Sequence, residues 1–165
     1  MEFLRMETPV GELLITVSDG AVTCVRFSSE GHLSKDPGRT LDQSLARRHS
    51  PLLERAAGEL KAYFAGTLRS FSLPLAPEGT VFQKQVWSVL CSIPYGDTCS
   101  YKDVATAVGN PNACRAIGGA VNKNPIGIII PCHRVIGNSG SLTGYAGGLD
   151  KKEFLLSLEK GGQTS

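Results

Sequence analysis

The chain has almost no net charge: seventeen lysines and arginines stand against fifteen acidic residues in 165 positions, a formal +2. So even a balance excludes a histone-like polycation that coats nucleic acid by charge density alone. No apolar run approaches the roughly 20 residues needed to cross a bilayer; the longest is the short Ile128-Ile129-Ile130 stretch. Among Cys24, Cys91, Cys99, Cys114 and Cys132 there is no C-x-x-C pair, and no apolar leader precedes them. An odd count without either feature argues against a disulfide framework and leads us to expect a soluble protein of a reducing, cytoplasmic compartment. The cysteines, with His32 and His49, show no finger-like ligand spacing, so no structural zinc is expected. The glycine-rich run 144–148 lacks the preceding strand and following helix that a dinucleotide fingerprint requires. No cofactor is expected.

What is present is unevenly spread. Residues 1–79 carry nine basic and ten acidic side chains, whereas residues 80–165 carry eight and five, so a polyanion would prefer the second half. The first half opens with extended segments at Phe3 to Met6, Leu13 to Val17 and Ala21 to Phe27, separated by Pro9-Val10-Gly11 and the tight-hairpin dipeptide Asp19-Gly20. Antiparallel strands are the reading. Residues 28–49 are polar and without period, which predicts a long loop. Ser50-Pro51 then supplies an N-cap and a first-turn proline for a helix with Leu53, Ala56, Ala57, Leu60 and Phe64 inward, stopped at Gly66. Phe71, Leu73 and Leu75 alternate as a strand would, and a domain boundary is placed near residue 78, giving domains 1–78 and 79–165.

The second half begins with the capping-box pattern Thr80-Val81-Phe82-Gln83, leading to Val86, Val89, Leu90 and Ile93 at helical spacing. Ser100 caps a short helix with Val104, Ala105 and Val108 inward, closed by Gly109. The next helix, Ala113 to Asn122, places Ala113, Ala116, Ile117, Ala120 and Val121 on one stripe and Arg115, Gly118, Gly119 and Asn122 on the opposite one. Two short helices joined this way resemble a helix-turn-helix. Each glycine weakens a helix by roughly 1 kcal/mol relative to alanine, a cost offset if another backbone, of protein or nucleic acid, must come close.

Ile126 to Ile130 reads as a buried strand ending at Pro131, directly followed by Cys132-His133-Arg134-Val135. Strand ends are where scaffolds display reactive side chains. A thiol of ordinary pKa near 8.5 is only slightly ionised at neutral pH, so a nucleophilic Cys132 needs a base or a positive field, and His133 and Arg134 are the adjacent suppliers. Neighbouring side chains diverge in an extended strand, so His133 helps only if the chain turns or a water connects them. A last helix, opened by an Asp150/Glu153 capping box and running to about Lys160, has Leu155 and Leu158 inward. It puts Glu159 near the buried face, close to the end where the helix dipole disfavours a carboxylate. A function would justify that placement: Glu159 orients and polarises His133.

Pro131-Cys132-His133-Arg134-Val135, with Arg115-Ala116-Ile117-Gly118-Gly119, Asn124-Pro125 and Gly144-Tyr145-Ala146-Gly147-Gly148-Leu149, resembles the methylated-DNA-protein-cysteine methyltransferases over residues 80–160. The resemblance implies an α+β protein. Its N-terminal part would be a small antiparallel sheet with a helix, ribonuclease H-like. Its C-terminal part would be a mostly helical, winged helix-turn-helix-like domain carrying the active site. It implies a single-turnover DNA repair enzyme in which Cys132 displaces the alkyl group of O6-alkylguanine, less readily of O4-alkylthymine. His133 would be its water-linked base, Glu159 the partner of His133, and Asn124 the side chain holding the turn. Tyr101 would assist the leaving guanine and crowd the phosphate. The Cys132 and Val135 carbonyls would receive the exocyclic amine, and the Tyr145 to Ala146 backbone would address O6. Arg115 would fill the gap left by the flipped nucleotide, with the helix of Gly118 in the minor groove. Lys102, Asn110 and Asn138 would contact the DNA backbone. The implied partner is alkylated double-stranded DNA, with no membrane; the protein would be a monomer, with cooperative binding along DNA open. Two departures stand out: Ala146 occupies a position where some relatives carry serine, and Cys24 lacks the early cysteine that would complete some relatives' zinc site. A non-catalytic lesion sensor would lack Cys132, and a Cys-His hydrolase would need an oxyanion hole with no sign in the sequence.

Overall fold

A computed structural model describes residues 2–27, 50–137 and 148–164. The polar stretch 28–49 and the run 138–147, with Asn138, Tyr145 and Ala146, lie outside the described residues. The chain divides into two compact units, Met1–Pro77 and Glu78–Ser165, in an α+β arrangement.

The first unit is a three-stranded antiparallel sheet in the order β1 (Glu2–Thr8), β2 (Gly11–Ser18), β3 (Ala21–Phe27). Asp19 and Gly20 both take positive φ, 52° and 77°, the conformation that a two-residue hairpin needs to match strand twist. The central strand is covered on both faces, since Leu13 to Val17 are all buried. Helix α1 (Pro51–Phe64) packs against the strands. It starts as its sequence demands: the Ser50 side chain accepts from the Leu53 N–H at 3.2 Å, a cap worth about 1 kcal/mol. Its buried stripe is Leu53, Ala56, Leu60 and Tyr63. Ala57 and Phe64, expected inward, are only half-buried, because Tyr63 continues the 3-4-3 spacing and takes the core position. The strand expected at Phe71 to Leu75 is reduced to one parallel bridge, Val22 to Leu75. Pro74 has no N–H to extend a ladder, and only its carbonyl pairs, accepting from Val22 N–H at 2.8 Å.

The second unit is built on α2 (Val81–Leu90), α3 (Tyr101–Ala107), α4 (Cys114–Asn122) and α5 (Leu149–Thr164). Both halves of the Thr80/Gln83 capping box form, and Ser100 forms a second with Asp103. Val86, Trp87, Leu90 and Ile93 line the core with Val104, Ala105, Ile117, Ala120, Val121 and Leu155; Val89 and Val108 stay half-exposed. The Trp87 indole N–H, which no helix partner can satisfy, donates to the Ala120 carbonyl at 2.9 Å and so ties α2 to α4. Three expectations are corrected. Ala116 is exposed, because at roughly 100° per residue it lies at the edge of the Ile117, Ala120 and Val121 stripe. Asp150 is not the cap of α5: Gly148, at φ 107°, offers its carbonyl to Lys151 and Lys152, and Asp150 sits exposed in the first turn. The helix also runs past Gly161 to Thr164, so Glu159 is not in its last turn. Among the described residues no helix is long and apolar enough to cross a membrane.

Candidate active site

Asn122 ends α4, and the chain must turn sharply before it can reach the second unit's core. The expected strand over Ile126 to Ile130 does not form. The segment is a compact turn with Ile126, Ile128, Ile129 and Ile130 buried, closed by Ile130 N–H to the Ile126 carbonyl at 3.1 Å. Its isoleucines are apolar enough for a strand, but only Ile126 forms a β-bridge, and the rest are buried within the turn. Ile128 is held at φ 70°, a conformation rarely adopted by a β-branched residue. Asn124 spans the turn: its amide donates to the Ile130 carbonyl at 2.9 Å and its carbonyl oxygen accepts from Ile126 N–H at 3.0 Å.

This turn delivers Cys132–Arg134 as a single 3₁₀ turn, followed by a two-residue strand β5 (Val135–Ile136). β5 pairs in parallel with β4 (Cys99–Ser100), Cys99 opposite Val135. Ser100 is the cap of α3, so the reactive turn and the first residue of α3, Tyr101, are joined by one short ladder. Cys132 and His133 both lie in this 3₁₀ turn and are both buried, at 6% and 0% exposure.

His133 Nε2 lies 2.6 Å from Glu159 Oε2. With a carboxylate as acceptor, Nε2 carries the ring proton and the lone pair lies on Nδ1. Burial pushes the His133 pKa below its ordinary 6.5, against the opposing pull of the Glu159 hydrogen bond and charge. The imidazole is therefore neutral at physiological pH and able to take a proton. Glu159, fully buried, accepts from three groups besides His133. Arg134 Nε binds Oε1 at 2.8 Å, Arg134 Nη2 binds Oε2 at 3.0 Å, and Gly96 N–H reaches Oε1 at 3.1 Å. The guanidinium is anchored further by Nη1 to the Ile93 carbonyl at 2.6 Å and by the Tyr95 ring, 5.8 Å away. A fork-on-fork arginine pair of this kind fixes the carboxylate in orientation as well as in charge.

Two members of the cluster escaped the sequence reading as site residues. Arg134 was read as a field near Cys132, whereas its guanidinium is spent on Glu159. Lys152 is fully buried and donates from Nζ to the Val135 carbonyl at 2.5 Å. Burial lowers its pKa and the charge of Cys132 raises it. A signal did exist for Lys152: at i and i+3 with Leu155 it lies on the buried stripe.

The other predicted residues lie on the surface of the same unit. Lys102, Asn110, Arg115 and Gly119 are exposed and Tyr101 is half-buried. A Cβ built on Gly118 would meet the Tyr101 ring at 3.9 Å, an ordinary contact, and one on Gly119 would meet nothing within 4 Å. The described protein therefore gives no packing reason for glycine at 119.

The description "6-O-methylguanine DNA methyltransferase, DNA binding domain" matches residues 81–161, and its "ribonuclease-like domain" matches residues 4–77. The chain is 48% identical over 155 residues to the methylated-DNA–protein-cysteine methyltransferase of Methanosarcina barkeri, covering 94% of each chain. It is similar to the crystal structure of Mycobacterium tuberculosis O6-methylguanine methyltransferase, with TM-score 0.83 and 42% identity, over 97% of this chain and 93% of that one. It is similar also to Mycobacterium tuberculosis OGT in complex with DNA, with TM-score 0.84 and 40% identity, over 98% and 94%.

Proposed function

The chain belongs to the methylated-DNA–protein-cysteine methyltransferase family, and from that membership we propose how its own residues perform the transfer. It is a DNA repair enzyme that moves an alkyl group from DNA to a cysteine of its own chain. The acceptor is Cys132 and the preferred substrate O6-alkylguanine, with O4-alkylthymine slower. A base inside the duplex stack is out of reach of a thiol that is only 6% exposed, so the nucleotide is flipped out. The Cys132 sulfur pair attacks the alkyl carbon. The S–C bond forms as the C–O6 bond breaks, its electrons go to the guanine, and the thiol proton, taken up through water by His133 Nδ1, is passed on through water to the departing guanine, which leaves neutral. The thioether is stable, so each molecule acts once.

Glu159 holds the His133 tautomer, and Asn124 holds the turn. Tyr101 assists the leaving guanine, the Cys132 and Val135 carbonyls receive its amine, and the Tyr145 to Ala146 backbone addresses O6. Arg115 occupies the vacated space while the bare face of α4 at Gly118 enters the minor groove, with Lys102, Asn110 and Asn138 on phosphates. The protein works in the cytoplasm as a monomer. The observation that carries the reading is the 2.6 Å contact of a buried, neutral His133 with Glu159 immediately beside the Cys132 turn. The test is intact-mass analysis after mixing with a duplex containing O6-methylguanine. One methyl group per molecule, mapped to Cys132, is the expected result; a methyl on another cysteine, or repeated turnover, overturns the assignment.

A further inference from the structure

Arg115, Gly118 and Gly119 stand on α4, whereas Cys132 stands on a separate turn, and one helix touches both. α2 packs against α4 and against the Cys132–Arg134 turn. A hydrogen bond fixes it to each. Just past its end, the Ile93 carbonyl accepts from Arg134 Nη1 at 2.6 Å, which ties α2 to the reactive turn. Earlier, the Trp87 indole N–H donates to the Ala120 carbonyl at 2.9 Å, which ties α2 to α4. Ala120 lies in the last turn of α4, where a helix leaves its final four carbonyls without their usual partners. The Asn124 N–H turns to the Val121 carbonyl at 3.3 Å, and Lys123 N–H approaches Ala120 at 3.2 Å, so the indole makes the shorter of two bonds there. The ring itself is confined. Trp87 is buried, and a Cβ on Gly79 would lie 2.5 Å from its Cη2 and 2.8 Å from its Cζ3, so only glycine lets the chain entering α2 lie so close. Packing alone does not call for tryptophan, because phenylalanine would fill a core without burying an N–H.

We propose that Trp87 is a positioning residue for repair of duplex DNA: its indole N–H, bonded to Ala120, fixes where α4 stands relative to the Cys132 turn. This rests on the reading that a base is flipped out of a duplex lying on α4 and must then meet the Cys132 sulfur. The geometry inside the reactive turn has its own supports, since Asn124 closes it with bonds to Ile126 and Ile130. Loss of the indole donor therefore leaves the turn intact and frees the end of α4 to shift against it. A base carried by a duplex feels that shift, because its position is set by α4. A free base does not, because it enters the pocket without touching α4.

Trp87 is the only tryptophan in the sequence, so growth of a tryptophan auxotroph on 3-benzothienylalanine replaces this side chain alone. The analogue keeps both fused rings and carries sulfur in place of the N–H. Trp87→Phe is the second variant, with a smaller ring and no donor. Single-turnover methylation of Cys132 in the full chain is followed by peptide mass at saturating protein, at a temperature where thermal unfolding shows each variant to be folded. The two substrates are a duplex containing O6-methylguanine and free O6-methylguanine base. The duplex rate should fall about tenfold in either variant and the free-base rate stay within about twofold of wild type, since a misplacement of roughly 1 Å costs up to about a hundredfold. A folded variant that repairs the duplex as fast as wild type overturns the proposal. So do equal losses on the two substrates, which would make Trp87 a support of the acceptor pocket alone. Wild-type protein that takes no methyl onto Cys132 refutes the transfer reading instead, so the two failures are distinct.

Discussion

Two regions of the second unit carry its work by opposite means. Around Cys132 the protein buries polar and charged side chains: His133, Arg134, Lys152 and Glu159 are all inside, where each would be costly alone and each is tied to another group. On the α3 and α4 face it removes side chains instead, leaving Gly118 and Gly119 on a helix with Arg115 projecting from an exposed position. The first region gains chemical strength from exclusion of water, since electrostatic contacts are stronger there. On the proposed reading the second gains access, because a surface without side chains lets a duplex come close. Chemistry and recognition should therefore fail separately when each region is altered, although the β4–β5 pairing connects them.

The sharpest separation is Cys132→Ala. Methyl transfer should vanish while affinity for a duplex containing the lesion stays near wild type, because the recognition face is untouched. A gel-shift titration beside the mass assay checks this, and residual transfer would show that the chemistry lies elsewhere. Glu159→Gln should come next. It weakens the His133 contact and leaves the Arg134 guanidinium buried opposite a neutral amide, a loss of the kind that costs about 3–5 kcal/mol. Both thermal stability and transfer rate should fall, and raising the pH should partly restore the rate by ionising Cys132 without help. In the wild-type protein the same buried site sets the acid limit. His133 has a folded pKa below its ordinary 6.5, so its contribution to stability is complete above that value and is lost as pH falls through the lowered one. Melting temperatures measured from pH 8 to 4 should show the decline, and a flat profile would mean that His133 titrates alike in the folded and unfolded chains.

The same contrast explains what was legible in the sequence. Signals that act over three or four residues were mostly read correctly: Ser50-Pro51, the Thr80/Gln83 capping box, the Ser100 cap and Asp19-Gly20 are local chemistry and need no knowledge of the fold. The pairing of His133 with Glu159 was legible too, and the structure brings the two together at 2.6 Å. Less legible were features set by distant partners. The Ile126 to Ile130 run has strand composition, yet beyond a bridge at Ile126 it folds as a turn held by Asn124. Arg134 finds Glu159 across 25 residues, and Lys152 finds the Val135 carbonyl across 17, a partner that its helix pattern does not disclose. Asp150 has the residue type of a cap, yet Gly148 took that place because only tertiary position decides where α5 begins.

Arg115→Ala tests recognition alone. The side chain is exposed at the start of α4, so folding should be nearly unchanged. If it holds the gap after extrusion, the unstacking cost of a few kcal/mol is no longer offset, and repair of duplex O6-methylguanine should fall tenfold or more, roughly. Transfer from a free modified guanine, which needs no flipping, should scarcely change. Equal losses on both substrates would make Arg115 a support of the Cys132 turn, and would break the separation between the two regions.

Gly119→Ala is the finest test, because it predicts opposite signs for stability and binding. In the isolated protein a methyl at this position meets nothing within 4 Å, and alanine in place of glycine within a helix stabilises by roughly 0.5–1 kcal/mol. The variant should therefore melt slightly higher than wild type. The added methyl nonetheless projects from the face proposed to enter the minor groove, where backbone approach is the purpose of the missing side chain. Affinity for lesion-containing duplex should drop several-fold, while methylation of Cys132 by a free modified guanine is unchanged. Gly118→Ala provides the internal comparison: its methyl would touch the Tyr101 ring at 3.9 Å, so part of any loss there comes from Tyr101. A Gly119→Ala protein that is more stable and binds DNA as well as wild type would show that α4 tolerates a side chain at the interface. The glycine would then be neutral, and the bare-face account of recognition would fail without affecting the chemistry at Cys132.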